Sequence, residues 1–462
     1  MTGLPSESSI QEALERVISG GGEFAELFFE NRLIHSIGCE DGKIERISSG
    51  FDSGFGLRII AGDRTAYSYS NRITADEMFR LGDAVLGDIE KGEGRISPFS
   101  EIKRGSVSGI GRTVEDVDLE EKVDLVQEAD RAARAVSDEI SQVRVNFGDL
   151  IQSVRIFNSE GDAVADDRRQ IVFNIRAIAT RDTEIQSAYR SVGGRKGFEF
   201  LSEDLIREIS GAAGESAIKI LHADHAPAGN MTVVLASRAG GTMVHEAIGH
   251  GLEGDAAEKG LSIYSGKVGE KVASELITVV DDATMDGQRG SYVYDDEGVS
   301  AQRTVPVENG ILKSYLLDRR IARKMGLSST GNGRRQNYRF RPIVRMSNTL
   351  IAPGEHDPGE IISSVDRGLY VVRMGGGQVD TSSGDFVFKV NEAYLIENGK
   401  VTSPVRGATL IGNGPAVLKD IDMVGNDLGF DIGTCGKDGQ HVPVSDAQPT
   451  IRIPGITVGG EV

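Results

Sequence analysis

A chain of 462 residues exceeds what one hydrophobic core usually serves, so two or three domains are expected. A formal net charge of -19 and a pI near 4.9 would repel a phosphate backbone, which removes nucleic acid from the expected partners. No apolar run approaches the roughly 20 residues of a spanning helix and residues 1–8 carry no charged-then-apolar leader, so no membrane partner is expected and the expected compartment is the cytoplasm.

In chain order, residues 9–18 space their apolar positions as a short amphipathic helix closed by Gly20, Gly21 and Gly22. Strands are expected at 25–30, 33–39, 43–48 and 54–60, with turn signals at Asp41-Gly42 and Gly62-Asp63. Thr74 caps a helix to about residue 90; residues 91–98 read as a loop or linker, and a subdivision is expected near 91–112. A charged helix at 119–136 keeps Val123, Val126, Ala129, Ala133 and Val136 at helical spacing. Strands at 140–147, 153–158 and 171–181, a turn at Glu160-Gly161-Asp162 and a helix at 203–221 complete an N-terminal region, 1–225, of mixed sheets with helices. Residues 226–462 turn to short strands and glycine turns, interrupted by a helix around His245 and another at 317–325. The chain therefore reads as α+β, its C-terminal domain β-rich and built around the His245 helix.

That helix carries the chemistry. Residues 245–250, His245-Glu-Ala-Ile-Gly-His250, set the carboxylate of Glu246 beside two imidazoles. Neutral imidazole nitrogen suits zinc, and a glutamate held beside such an ion can take a proton from water, which implies hydrolysis. The familiar zinc-peptidase helix has its histidines four apart, on one face. Here they are five apart, and on a regular helix such positions diverge by roughly 140°. Shared ligation therefore requires a distortion, expected as a single π-turn, with Gly249 and Gly251 lowering its cost. Alone, the same residues also read as satisfied polar groups on a packed helix.

Other groups compete for roles. Glu253, Asp255 and His441 are possible ligands by residue type, and the first two also suit acceptors that orient the histidines. His222 and His225 read as helix-terminus residues, and Asp295-Asp296-Glu297 as a solvated turn. The glycine runs at 331–333 and 375–377 lack the strand-to-helix setting and lysine of a nucleotide loop. Gly375, Gly376 and Gly377, with Gln378 and Asp380, instead read as a close-approach edge for an extended peptide substrate, or equally as a tight turn. Cys39 reads as a small core residue on a strand, Cys435 as part of a glycine-flanked loop, and the two imply no disulfide framework.

The stretch His245-Glu-Ala-Ile-Gly-His-Gly-Leu-Glu-Gly-Asp255 resembles the signature of the TldD branch of the TldD/PmbA family of metalloproteases. Further similar motifs run through the C-terminal half: Ser265-Gly-Lys-Val-Gly269, Asp295-Asp-Glu-Gly298, Gly331-Asn-Gly-Arg-Arg335, Gly375-Gly-Gly-Gln-Val-Asp380, Gly407-Ala-Thr-Leu-Ile-Gly412, Met423-Val-Gly-Asn-Asp427 and Cys435-Gly-Lys-Asp-Gly-Gln440. The N-terminal half resembles the family in its order of elements. The resemblance implies one Zn2+ per chain on His245, His250 and Cys435, with Glu246 as general base of a peptidase acting on peptides or unfolded segments. It also implies a dimer, with a PmbA-like paralogous subunit or a second copy. Arg334, Arg335 and Tyr338, in a neighbouring motif, are candidates for stabilising the oxyanion or binding substrate. The alternative is a non-catalytic peptide-binding or regulatory subunit, its zinc site closed by a fourth ligand such as Asp255 or His441. A redox role for Cys435 finds no partner thiol.

Overall fold

Two long hairpins open the computed structural model, which describes residues 3–87, 96–105 and 111–460. β1 (Phe24–Glu40) turns through Asp41 and Gly42 into β2 (Lys43–Ala61), which turns through Gly62 and Asp63 into β3 (Arg64–Ser70). Asp41 and Gly42 have φ of 52° and 73°, the left-handed pair that a two-residue hairpin requires. A second meander, β4 (Ile140–Asn158), β5 (Ala163–Arg181) and β6 (Glu184–Gly194), joins the first because β4 pairs antiparallel with β1. A short strand, Lys103–Arg104, adds in parallel to β5. One sheet thus spans both sides of the 91–112 segment. Of that segment and the end of the preceding expected helix, residues 88–95 and 106–110 lie outside the described residues.

These strands are longer than apolar alternation predicts. The expected pieces at 25–30 and 33–39 are one strand, as are 43–48 with 54–60 and 140–147 with 153–158. The polar residues that interrupt the pattern take partners on neighbouring strands or in the C-terminal region and do not turn the chain. Glu30 accepts from the Tyr338 N–H, and Asp166 from the Val293 N–H. β6, absent from the expectation, exposes Ile185 and Tyr189, which erases its alternation.

Four helices cover the sheet. α1 (Glu7–Ser19), capped by Ser6, and α2 (Ala75–Leu86), capped by Thr74, pack against Phe29, Phe55 and Leu57. The i, i+3, i+4 row Ile10, Ala13, Leu14, Val17 is what α1 buries, and full burial of such a leucine contributes about 1.5–3 kcal/mol. α3 (Leu119–Arg134) and α4 (Glu203–Leu221) cover Phe147, Phe173 and Ile175, a core that also holds Cys39. His222 ends α4 and pairs with Glu139 at 2.7 Å.

Seven strands shape the C-terminal region around the site: β7 (Gly229–Leu235), β8 (Arg367–Val379), β9 (Asp385–Glu397), β10 (Thr409–Asn413), β11 (Gly429–Lys437), β12 (Gln440–Gln448) and β13 (Ile451–Gly459). β7 pairs with β13, β13 with β10, β10 with β9, β9 with β8, and β8 again with β7, closing a five-stranded barrel. Alternation sorts its residues: Val233 and Leu235 join one core with Leu369 and Phe388, while Val234 joins a separate cluster with Ile361 and Ile396. β11 and β12 form a hairpin at the edge of a second sheet, where β12 runs parallel to Asn348–Ile351. The architecture is α+β. No helix among the described residues is long and apolar enough to cross a membrane.

Buried ion pairs join the two regions. Arg58 meets Glu26 at 2.8 Å and Glu297 at 2.5 Å, Arg168 meets Asp296 at 2.6 Å, and Arg335 pairs with Glu26. Asp295, Asp296 and Glu297 are therefore not the solvated turn the sequence predicts. They are buried because the N-terminal sheet brings arginines to two of them, while the Asp295 carboxylate accepts the N–H groups of Glu297, Val299 and Gly333.

Candidate metal centre

Gly240 and Gly241, with φ of 84° and 75°, steer the chain into the site, and a Cβ on Gly241 would sit 2.5 Å from the Ala447 nitrogen. After one helical turn, Thr242–Val244, residues His245–Gly249 form a π-turn, and the His250 N–H bonds the His245 carbonyl. The i→i+5 winding returns both imidazoles to one side, with ring centroids 5.0 Å apart and planes at 89°. Met243, Val244, Ala247 and Ile248 anchor the turn in the barrel core. The flanking glycines act differently from the expectation. Neither has positive φ; a Cβ on Gly249 would lie 2.3 Å from Met346 Sδ, and one on Gly251 2.6 Å from Tyr264 Cδ2. They admit close neighbours rather than an unusual backbone.

The β11–β12 hairpin supplies the rest. Cys435 lies within β11, where Gly433 and Gly436 pair with Val444 and His441, so the expected loop is a strand. Its Sγ is 3.6 Å from His250 Nε2, and the donor atoms of His245, His250 and Cys435 all lie within 4.8 Å of one another. Asp446 Oδ1 sits 2.7 Å from His245 Nδ1, and Glu253 Oε2 sits 2.9 Å from His250 Nδ1. A carboxylate on each Nδ1 fixes the ring and leaves Nε2 as the ligating atom.

Electrostatics follow from this enclosure. Burial opposes charge on His245, but Asp446 and Cys435 together outweigh it and hold the imidazole well above its usual range. Burial is likewise overcome at His250, chiefly by Glu253, which brings that ring up to about 10. Burial would raise the Cys435 thiol; hydrogen bonds from the two imidazoles pull it down instead, to about 5. Glu253 falls to about 2 against its own burial because Lys437 and His250 lie beside it. Glu246 is half-buried, and burial raises its carboxyl above the usual range. Two imidazole nitrogens and a readily formed thiolate, converging without a fourth protein donor among the described residues, fit a borderline cation such as zinc with one position open.

The structure places the remaining candidates as follows. Asp255 accepts from Lys437 Nζ at 2.7 Å and touches neither imidazole. His441 is exposed, and its strand position faces away from Cys435. Arg334 is buried, donating to the carbonyls of Met346 and Pro443; Tyr338 is 1% exposed with its hydroxyl on Asp52; Arg335 is held by Glu26. These three are not brought to the cluster as free donors, because the packing of the two regions already engages them. In β8, Gly377 and Gly375 allow close pairing with β9, where a Cβ would meet Phe388 at 1.9 Å and Asn391 at 2.7 Å. Gly376 and Gln378 are exposed, and the Asp380 carboxylate caps a turn through Ser382. Asp446 and Lys437 carry no role in the sequence reading. A signal for Asp446 exists: it follows Val442 and Val444 on the inward row of β12, where a carboxylate needs a partner.

Profiles for the PmbA/TldA metallopeptidase family match most of the chain: domain 1 at residues 25–86, the central domain at 112–221 and the C-terminal domain at 228–460. A protein of Haemophilus influenzae named "Metalloprotease TldD homolog" is 39% identical over 448 residues, 95% of this chain and 93% of that protein. A "Zinc metalloprotease TldD homolog" of Saccharolobus solfataricus is 28% identical, covering 96% of this chain and 98% of its own length. Among solved structures, a Thermotoga maritima protein whose name proposes it as a modulator of a DNA gyrase shares the fold with a TM-score of 0.82, at 23% identity over 98% of this chain and all of that one.

Proposed function

The chain belongs to the PmbA/TldD family of metallopeptidases, and from that premise we propose that it hydrolyses peptides or unfolded polypeptide segments with one zinc ion held by His245, His250 and Cys435. The observation that carries this reading is the count of converging donors, three rather than four among the described residues, with Asp255 on Lys437 and His441 on the far face of its hairpin. A structural site would be closed. When bound, zinc supplies Lewis acidity toward a carbonyl and acidifies a water. Glu246, adjacent to His245, takes a proton from water and returns it to the leaving amine, a role worth about 10²–10⁴-fold. Asp446 and Glu253 hold the two rings in the ligating orientation.

Peptide is the substrate that β8 suits. Within β8 only Gly368–Val371 pair with β7, and beyond Val371 that edge of β8 has no strand partner among the described residues while the strand runs on to Val379 past the π-turn. An extended chain adding there gains main-chain hydrogen bonds largely independent of its side chains, so sequence preference should be loose and folded proteins resistant. A second subunit, PmbA-like or identical, would enclose such a cleft. The test is peptide digestion read by mass spectrometry alongside metal analysis of wild type and Glu246→Gln. The variant should keep its metal and lose cleavage by about 10²-fold or more; cleavage at the wild-type rate would overturn the reading, and loss of metal would make Glu246 a ligand.

A further inference from the structure

Between the N-terminal sheet and the β11–β12 hairpin lies a cavity of about 230 Å³. One wall is a cross-strand row in which Arg32 of β1, Gln152 of β4 and Arg168 of β5 stand in register. Arg289, Arg334 and Arg335 line it from the C-terminal region. Five guanidinium groups thus face a single lining carboxylate, Asp296.

Their partners do not balance. Arg168 is held by Asp166 and Asp296, and Arg335 by Glu26. Arg32 comes no nearer than 3.8 Å to Glu30. Arg289 donates to the Gly433 carbonyl at 3.1 Å and the Thr434 hydroxyl at 3.3 Å, and Arg334 to the Met346 and Pro443 carbonyls at 2.6 and 2.7 Å; neither meets a carboxylate. The Nε–H groups of Arg32 and Arg335 are buried without an acceptor, and Arg335 is only 4% exposed. Burying cations without counter-charge is costly, and burial lowers Arg289 to about 10. Guanidinium forks are the donors that match planar or tetrahedral oxyanions.

We propose that this cavity binds a small oxyanion, a carboxylate or a phosphate, on the face of the β11–β12 hairpin opposite Cys435. Of the four hairpin residues that line the cavity, Thr434, His441 and Pro443 alternate along the strands with Cys435, Val444 and Asp446, while the fourth, Val442, is the cross-strand neighbour of Cys435. Because Arg289 and Arg334 already grip the carbonyls at Gly433 and Pro443, an anion neutralising them braces from behind the hairpin that carries Cys435. The proposal stands independently of peptide hydrolysis.

Inorganic phosphate titrated calorimetrically into the full-length protein, with ionic strength held by sodium chloride, should show one saturable site per chain and a rise in melting temperature. Arg289→Gln and Arg32→Gln, from opposite walls, should each weaken it by about tenfold or more while keeping the wild-type circular dichroism spectrum. A peptide ending in a free carboxylate, competed in metal-depleted protein against its C-terminal amide, separates the sources. Competition by the acid alone makes a peptide carboxylate the ligand, and no competition by either makes it a free anion. Heats that do not saturate, or saturable binding unchanged in both variants, would overturn the proposal.

Discussion

The two segments that meet at the metal centre carry very different shares of it by themselves. The π-turn supplies both imidazoles and Glu246 within residues 245–250, and Glu253, three residues past His250, orients the second ring. The β11–β12 hairpin supplies Cys435 and Asp446, which lie 185 and 201 residues from the imidazoles they meet. Four of these six groups are thus placed by local winding and two by tertiary structure. The local part can exist wherever the turn is formed; the distant part exists only when β12 is docked beside Asn348–Ile351 and the barrel core is closed.

The largest blow to this balance is removal of the distant thiolate. Cys435→Ala should lower metal affinity by more than about a hundredfold, read by elemental analysis after gel filtration, because the two remaining imidazoles cannot replace a charged donor. Metal content equal to wild type would mean that the turn suffices alone. The two supporting carboxylates give the sharper contrast. Asp446→Asn and Glu253→Gln should each cost about 10–100-fold in metal affinity by chelator competition. Only Glu253→Gln should also lower stability in denaturant, by about 1–3 kcal/mol, since that buried carboxylate serves Lys437 as well.

Gly249→Ala tests the local part through packing. The added methyl would meet Met346, costing about 1–3 kcal/mol of stability in chemical denaturation, with metal affinity falling in parallel if the turn is displaced. The smallest effect belongs to a site in neither segment. Ile47→Thr, on a half-exposed position of β2, should change stability by no more than about 0.5 kcal/mol and leave metal affinity untouched.

Legibility in the sequence follows the same division. A spacing of five implies a distorted helix, which the π-turn satisfies, and the helix expected at 203–221 is α4. Cys435 entered through family resemblance alone, because nothing within a few residues of it points to His245. Apolar alternation understates strand length in the N-terminal sheet where Glu30, Arg32 and Gln152 interrupt it. Glu30 answers to Tyr338 in the C-terminal region and Gln152 to Glu30 and Arg168 on neighbouring strands, and a local window contains only one partner of each of these pairs. Asp295, Asp296 and Glu297 depart from the expected solvated turn for the same reason: acids read as solvated until the arginines and backbone N–H groups that bury them are in place. Arg334 and Tyr338 suit free donors by residue type, while their hydrogen-bond partners, carbonyls and Asp52, are visible only in tertiary structure.

The barrel that β7, β13, β10, β9 and β8 close has a temporal meaning. A sheet frays from its edges, whereas a ring must break across before any one of its paired strands can leave. Backbone amides near Val233 and Leu369 should therefore exchange with deuterium only on global opening, while those around Ile47 and Phe51, on the exposed end of the β1–β2 hairpin, exchange long before. The floor beneath the π-turn should then be among the last parts to loosen, so that the His245, His250 and Cys435 donors stay arranged through excursions that dismantle the outer arm.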